Sequence, residues 1–198
     1  TFVNFNFRYD KRNQKYRPSD GFISNYRIDI PVISDNNTLT NSYDYKFYTE
    51  LYEDNVSSIS LLLKAANSIT GDDVKLTERL TIPYSRLRGF EKGKTGPKDG
   101  EDYIGGNYIT ALNINSNVPS IFRDIQNLDA SIFFDAANVW GVDYDSSLND
   151  GNKIRSSIGI GIDWWTVIGP MSFTFSEALT KDDSDIEESF RFNIGTTF

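Results

Sequence analysis

Arg86-Leu87-Arg88-Gly89-Phe90 brings two guanidinium groups, a glycine and a large aromatic side chain together inside a stretch that is otherwise polar and rich in glycine. A guanidinium presents a planar fork that grips a carboxylate through two parallel hydrogen bonds, so this run suits orienting a loop through an ion pair. Gly89 allows a tight backbone turn beside Arg88, and Phe90 supplies a body to pack against a wall. The carboxylate must come from elsewhere in the chain, and Asp135 and Asp129 are the candidates. Without such a partner Arg88 is one solvated loop arginine among others.

The remaining chemistry-bearing residues are less specific. The 198 residues include no Cys and no His, which removes the usual zinc ligands and the thiol and imidazole catalysts. Gly93-Lys94-Thr95 has the tail of a phosphate loop, but Arg88 stands where that motif requires its first glycine, and no helix flanks it. Gly159-Ile160-Gly161 falls within a strand, where small residues on the inner face relieve crowding. Asp143, Asp145, Asn149 and Asp150 are calcium-ligand types but miss the EF-hand spacing, so a solvated external loop is the plainer reading. Inward Asp and Glu residues offer no singled-out pair for glycosidase-type work. The expectation is no enzyme, no cofactor and no metal, and the net charge of −8 argues against a nucleic-acid partner.

The elements that position these residues follow from an alternation of period two. In Ser189–Phe198, Phe190, Phe192, Ile194 and Phe198 alternate with Arg191, Asn193, Gly195 and Thr197, which gives a strand one apolar and one polar face. Similar segments are Phe2–Arg12, Gly21–Ile33, Tyr43–Asp54, Ser57–Ile69, Gly106–Ser116, Leu128–Trp140, Ile154–Trp165 and Gly169–Leu179, making about nine strands. The parity of Leu128–Trp140 turns Asp129 and Asp135 to the polar side. No run of about 18 apolar residues exists, so helical spans are excluded. Aromatics make up 14% while mean hydropathy is −0.44. Composition alone leaves a soluble all-β sandwich open. The recurring alternation points instead to an antiparallel transmembrane β-barrel whose bulky rows meet lipid and whose other face meets a lumen. Tyr9, Tyr43, Trp140, Trp164, Trp165 and Phe198 then fall near strand ends, as interfacial girdles do.

With Phe198 at the periplasmic rim, connections alternate sides going backwards. Thr180–Glu188 lies outside, Thr166–Ile168 is a short periplasmic turn, Gly141–Lys153 is outside and Asn117–Asn127 is periplasmic. The longest connection, Thr70–Gly105, is then an external loop, placed to fold back into the lumen. Nine strands cannot close a bacterial barrel that favours even numbers, so residues 1–198 are expected to be the C-terminal part of a barrel domain. Upstream strands and soluble domains are expected to precede it.

These segments in order resemble the C-terminal half of the barrel of the BamA family of outer-membrane assembly insertases. Leu87-Arg88-Gly89-Phe90 is similar to that family's Val-Arg-Gly-Phe/Tyr loop signature, with Gly96-Pro97 following and Gly105-Gly106-Asn107 opening the next strand. Phe134-Asp135-Ala136-Ala137-Asn138-Val139-Trp140 resembles the family's aromatic-Asp-x-Gly-x-Val-Trp strand. Ile154-Arg155-Ser156-Ser157 with Gly159 and Trp164, Gly169-Pro170, Phe192-Asn193-Ile194-Gly195 and the turn Tyr16-Arg17-Pro18-Ser19-Asp20-Gly21 complete it. Ala137 departs from the usual glycine. Asn115 stands where the family often places a lumen-facing Glu, which puts an ion pair between that position and the loop arginine in question. The resemblance implies a loop lock made by Leu87, Arg88, Gly89 and Phe90 against lumen partners Asp135, Phe133 and Asn115. It implies a gate strand carrying Phe190, Phe192, Gly195 and Phe198. It further implies a setting in the outer membrane of a Gram-negative bacterium, among lipids and lipopolysaccharide, with unfolded β-barrel clients and periplasmic accessory lipoproteins as partners. A two-partner secretion translocator and a simple porin are the alternatives.

Overall fold

The computed structural model describes residues 2–32, 37–52, 54–119, 127–167 and 169–195. Phe198, Ile168 and most of the Asn117–Asn127 connection lie outside the described residues. The principal strands are β1 (Phe2–Asp10), β2 (Gly21–Pro31), β3 (Thr38–Tyr52), β4 (Asn55–Ser68), β7 (Tyr108–Asn117), β8 (Leu128–Trp140), β9 (Arg155–Thr166), β10 (Gly169–Thr180) and β11 (Phe190–Ile194). Two short strands inside the long loop, β5 (Lys98–Asp99) and β6 (Asp102–Tyr103), form a separate hairpin. The nine long strands make one sheet in chain order, β1-β2-β3-β4-β7-β8-β9-β10-β11, with every pairing antiparallel. β3 begins at Thr38, earlier than the expected Tyr43. Its first residues lack alternating bulky side chains, yet Thr38–Asn41 pair with Ala65–Ser68, so Tyr43 sits within the strand and not at its end.

Register carries the apolar rows across the sheet. Phe47 pairs with Ile59, Ile59 with Ile114, and Ile114 with Phe134. The row continues through Ile158. Ile59, Ile114, Ile158, Ile160, Phe175 and Phe190 are all exposed, as lipid-facing side chains of a membrane sheet are.

Local chemistry sets the turns. Between β1 and β2 the Asn13 carboxamide oxygen accepts the Ser19 and Asp20 N–H groups, and its Nδ2 donates to Ser19 Oγ at 2.9 Å. At Gly21 φ is +94°, and a Cβ there would overlap the Lys11 carbonyl, so the start of β2 requires glycine. Thr166 and Gly169 close the β9–β10 hairpin, with Thr166 Oγ1 donating to the Gly169 carbonyl at 2.7 Å.

The sheet is strongly curved. Two neighbouring loop residues reach strands far apart in it: Arg86 pairs with Asp44 on β3, and the Tyr84 hydroxyl accepts a bond from Asn193 on β11 at 3.0 Å. β3 and β11 are six strand steps apart, roughly 29 Å if the sheet were flat. The sheet therefore curls around the loop, which occupies the lumen. β1 and β11 are its two ends and do not pair with each other among the described residues.

The inner face is not uniformly polar, contrary to the simplest reading of the alternation. Leu62, Ile109, Ala111, Ala137 and Val139 point inward and are buried with Ile82, Leu87 and Phe90 of the loop in one apolar cluster. Below it the wall turns polar at Ser58, Ser60, Asn113 and Asn115. The apolar stretch is where the loop seats, and burying it against Leu87 and Phe90 removes from water the surface an open lumen would expose.

Candidate functional site: the loop seat in the lumen

The loop enters the lumen after β4. It makes two single-turn 3₁₀ segments, Leu76–Glu78 and Tyr84–Arg86, and leaves through the β5–β6 hairpin. The second segment delivers Arg86, Leu87 and Arg88 to the wall in succession. Arg86 pairs with Asp44, and its Nη1 donates to Asn113 Oδ1 at 3.2 Å. Leu87 enters the apolar cluster.

Arg88 meets Asp135. Its Nε donates to one carboxylate oxygen at 2.7 Å and its Nη2 to the other at 2.8 Å, while its backbone N–H adds a third bond at 3.1 Å. Asn113 Nδ2 supplies a fourth at 2.8 Å. The Asp135 side chain is 0% exposed and that of Arg88 20%. Removing a carboxylate from water this completely is costly, and here charged and dipolar donors replace its hydration. Phe133, two residues along the same face of β8, lies under the guanidinium with its ring centroid 3.5 Å from Cζ. That contact is a cation–π stack which fixes the plane of the fork. Asn115 accepts from Arg88 Nη1 at 3.4 Å, a long bond to a neutral group and not an ion pair.

Gly89 and Phe90 complete the seat. Gly89 has φ +91°, and a Cβ there would lie 3.0 Å from Ser157 Cβ on β9, so both conformation and space call for glycine. The Ser157 hydroxyl donates to the Arg88 carbonyl. Phe90 is 2% exposed in the apolar cluster. Among the positions expected to form a gate strand, Phe190 and Phe192 face outward, Phe192 stacked on Phe173 with centroids 4.9 Å apart and Phe190 tilted against Phe175 at 5.0 Å. Gly195 has φ +105° with open space around it. The loop seat and these outward aromatics are therefore distinct places in the fold.

Other singled-out groups find local uses. Asp143 does not gather with Asp145 and Asp150 at one point. It pairs with buried Arg79 and accepts from the Val74 N–H at 2.9 Å and from Asn107 at 2.8 Å. Burial pushes its carboxyl up, but these donors more than offset that and hold it below the usual carboxylate range. Asp145 accepts from Ser147, and Asp150 from the Asn152 N–H. Lys94 donates its backbone N–H to Glu91 within the loop. Asp129 pairs with Arg17 of the β1–β2 turn and not with Arg88. Sequence reading passed over Arg86–Asp44, Arg79–Asp143 and the fully buried pair Arg155–Asp185. Each joins residues that only the folded connections between strands bring together.

Gly159 has a specific task. A Cβ there would overlap the Phe133 ring and the Phe175 carbonyl, so glycine makes the room that lets Phe133 lie under Arg88. Gly159→Val is expected to destabilise the barrel by about 1–3 kcal/mol or more, read as a lower urea midpoint with the loop more open to protease. An unchanged midpoint would mean that both the Phe133 ring and the β10 backbone at Phe175 are free to move aside.

The comparisons agree with this architecture. A crystal structure of BamA from Haemophilus ducreyi lacking POTRA domains 1–3 superposes with a TM-score of 0.87 at 27% identity, covering 96% of this chain and 41% of that one. The outer membrane protein assembly factor BamA of Neisseria meningitidis is 31% identical over 139 residues, 57% of this chain and 17% of its own length. That of Neorickettsia risticii is 27% identical over 150 residues, 73% and 20%. The chain thus spans about a fifth of the length of these relatives. Across residues 1–198 it matches the model of the Omp85 superfamily domain, and it belongs to that superfamily.

Proposed function

We propose that the chain is the C-terminal part of the barrel of a BamA-type assembly factor, which folds and inserts β-barrel client proteins. The observation that carries the reading is the Arg88 fork held by Asp135 inside a sheet whose other face is apolar. As an Omp85 member with BamA relatives, the chain sits in the outer membrane of a Gram-negative bacterium. In this reading the two open ends of the sheet belong to a larger barrel completed by further strands, and soluble periplasmic domains form part of the working protein.

The mechanism contains no covalent step. Unpaired backbone groups are costly in hydrocarbon, so a free strand edge in the membrane drives pairing with an incoming client strand. β11 is the natural gate strand, since among the described residues it lies at one end of the sheet and pairs with β10 through five residues. Phe190 and Phe192 keep its outer face in lipid while Gly195 gives the chain freedom at its far end. Leu87, Arg88, Gly89 and Phe90 act as the loop lock, with Asp135, Phe133 and Asn115 as its wall. Clients, lipopolysaccharide and accessory lipoproteins are the proposed partners. A plain pore is less well supported, because the loop fills the lumen that solutes would use.

The test is reconstitution of the full-length protein in lipid vesicles with an unfolded outer-membrane barrel as client. Faster acquisition of the protease-protected, heat-modifiable client form is the expected result. Export of a soluble protein across the vesicle, with no gain in barrel insertion, would replace the insertase reading by a translocator.

A further inference from the structure

β11 has the shortest ladder of the large sheet, five pairs to β10 from Met171↔Ile194 to Phe175↔Phe190, and its other edge is unpaired among the described residues. Its inward side chains, however, are held from the lumen. The Arg191 guanidinium lies over Tyr84 of the loop, 3.5 Å from the ring centroid. Its Nη2 donates to the Phe90 carbonyl at 3.0 Å and pairs with Glu188. Asn193 donates to the Tyr84 hydroxyl at 3.0 Å. Just before β11 the backbone runs beside the loop. The Glu188 N–H donates to the Gly89 carbonyl at 3.0 Å, the Glu91 N–H to Ile186 at 2.9 Å, and the Ile186 N–H to Lys94 at 3.1 Å.

We propose that Arg191 and Tyr84 form a clamp through which the lumen loop holds the inner face of the terminal strand, so that loop seating and strand displacement are one coupled equilibrium. The inference rests on the gate reading of β11 and extends it. The clamp holds the first half of the strand at Arg191 through Tyr84, the Phe90 carbonyl and Glu188. Among the described residues Asn193 makes one side-chain bond to the loop and Gly195 makes none, donating only its N–H to the Pro170 carbonyl at 2.9 Å. A strand with more side-chain restraints at one end than at the other peels from the less restrained end. Opening therefore proceeds from Ile194 toward Phe190 with Arg191 as its last restraint. The loop that carries Arg88 on Asp135 also carries Tyr84 and the Phe90 carbonyl. Unseating the loop removes Tyr84 and the Phe90 carbonyl from Arg191 together and leaves it only Glu188, and this makes the coupling two-state. Arg191 and Tyr84 are positioning residues, acting through the strand and not on a client.

The experiment is hydrogen exchange of the full-length protein in lipid vesicles, comparing the amides of residues 190–195 with those of β9. Arg191→Ala and Tyr84→Ala are each expected to speed exchange in 190–195 about tenfold, the weight of one largely desolvated cation–π contact and its attached bonds, with β9 unchanged. The double variant is expected to add little to either single, because the two remove the same contact. Arg191→Lys keeps the charge beside Glu188 but loses the planar stack, and is expected to behave like Arg191→Ala. Recovery of slow exchange by Lys would reduce the clamp to simple charge pairing and overturn it. Wild-type exchange in both alanine variants overturns it as well. Should either alanine variant fail to fold, Arg191→Lys and Tyr84→Phe decide. Tyr84→Phe retains the ring and loses only the Asn193 bond, so its exchange should fall between wild type and Arg191→Lys. Equal exchange in all three overturns the clamp. The gate reading is tested apart from this by a disulfide between Met171→Cys and Ile194→Cys, residues that face each other across β10 and β11. Client insertion that persists with this disulfide closed means that displacement of β11 from β10 is not the gating step, while the exchange result stands or falls alone.

Discussion

Arg88→Ala is expected to destabilise the barrel by about 3–5 kcal/mol, the cost of leaving a buried carboxylate without its ionic partner. Asp135 has no exposure with which to recover hydration. Of its four donors, the variant retains the Asn113 amide and the residue-88 backbone N–H, and the backbone bond survives only if the loop stays seated. Asp135→Ala removes the same pair but leaves the charge on Arg88, which is partly exposed and keeps the Phe133 ring and the Asn115 oxygen. Its cost should be smaller, by 1 kcal/mol or more on the same physical grounds. The ordering matters because a merely solvated arginine predicts the reverse, with Arg88→Ala nearly silent. The double variant should cost less than the sum of the singles. Urea unfolding of the vesicle-embedded protein, followed by the loss of heat-modifiable mobility, gives the ordering. Protease cleavage within 84–94 reports whether the loop has left its seat. Strand content should hardly change, since the backbone ladders between β7, β8 and β9 do not involve these side chains. Wild-type midpoints in both singles would remove the loop-lock idea.

Part of this arrangement is legible without coordinates because lipid and lumen impose opposite demands on neighbouring residues. That contrast makes the alternation of β1, β9 and β11 clear. It also fixes the parity that puts Asp135 and Phe133 on one face of β8. The loop that bears Arg88 is legible from its composition and from the ordered resemblance. Three things are hidden. Ile109, Ala111 and Val139 face inward although apolar, because their solvent is the loop itself, and alternation cannot distinguish a lumen filled by protein from one filled by water. Arg155 reads as one more inner-wall charge at the start of β9, and Asp185 as one acid in a charged external stretch. Nothing local connects them, since the loop conformation brings them together. Arg191 and Tyr84 are hidden likewise, their closeness depending on how far the sheet curls. The start of β3 is missed for another reason: Thr38–Ser42 pairs through its backbone and carries little side-chain signal.

Arg155 and Asp185 form the other contact whose loss should be large. Both side chains are 0% exposed, with Nε 2.9 Å from the carboxylate. Arg155 Nη1 also donates to Asn138 Oδ1 at 3.1 Å and to the Gly151 and Lys153 carbonyls at 2.8 Å each. Asp185 in turn accepts the Gly96 N–H at 3.3 Å and the Asp182 N–H at 2.6 Å. One ion pair thus fastens three external connections, those containing Gly96, Gly151 and Asp182, to the top of β9. Asp185→Ala should cost about 3–5 kcal/mol by stranding a wholly buried guanidinium. Arg155→Lys should fare little better, because an ammonium cannot reach the carboxylate, an amide oxygen and two carbonyls as the planar fork does. An apolar replacement of both partners, Arg155→Met with Asp185→Leu, tests where the energy lies. If desolvation of the charges nearly cancels their attraction, the double variant recovers most of the loss. The Lys153 carbonyl and the Gly96 and Asp182 N–H groups would still lose the partners they have here, so recovery should stop short of wild type by about 1–3 kcal/mol. The shortfall should appear as cleavage at Lys153 and Lys181 under limited trypsin digestion while the strands remain protected. Full recovery with closed loops would mean that apolar packing, and not the fork, ties the external connections together.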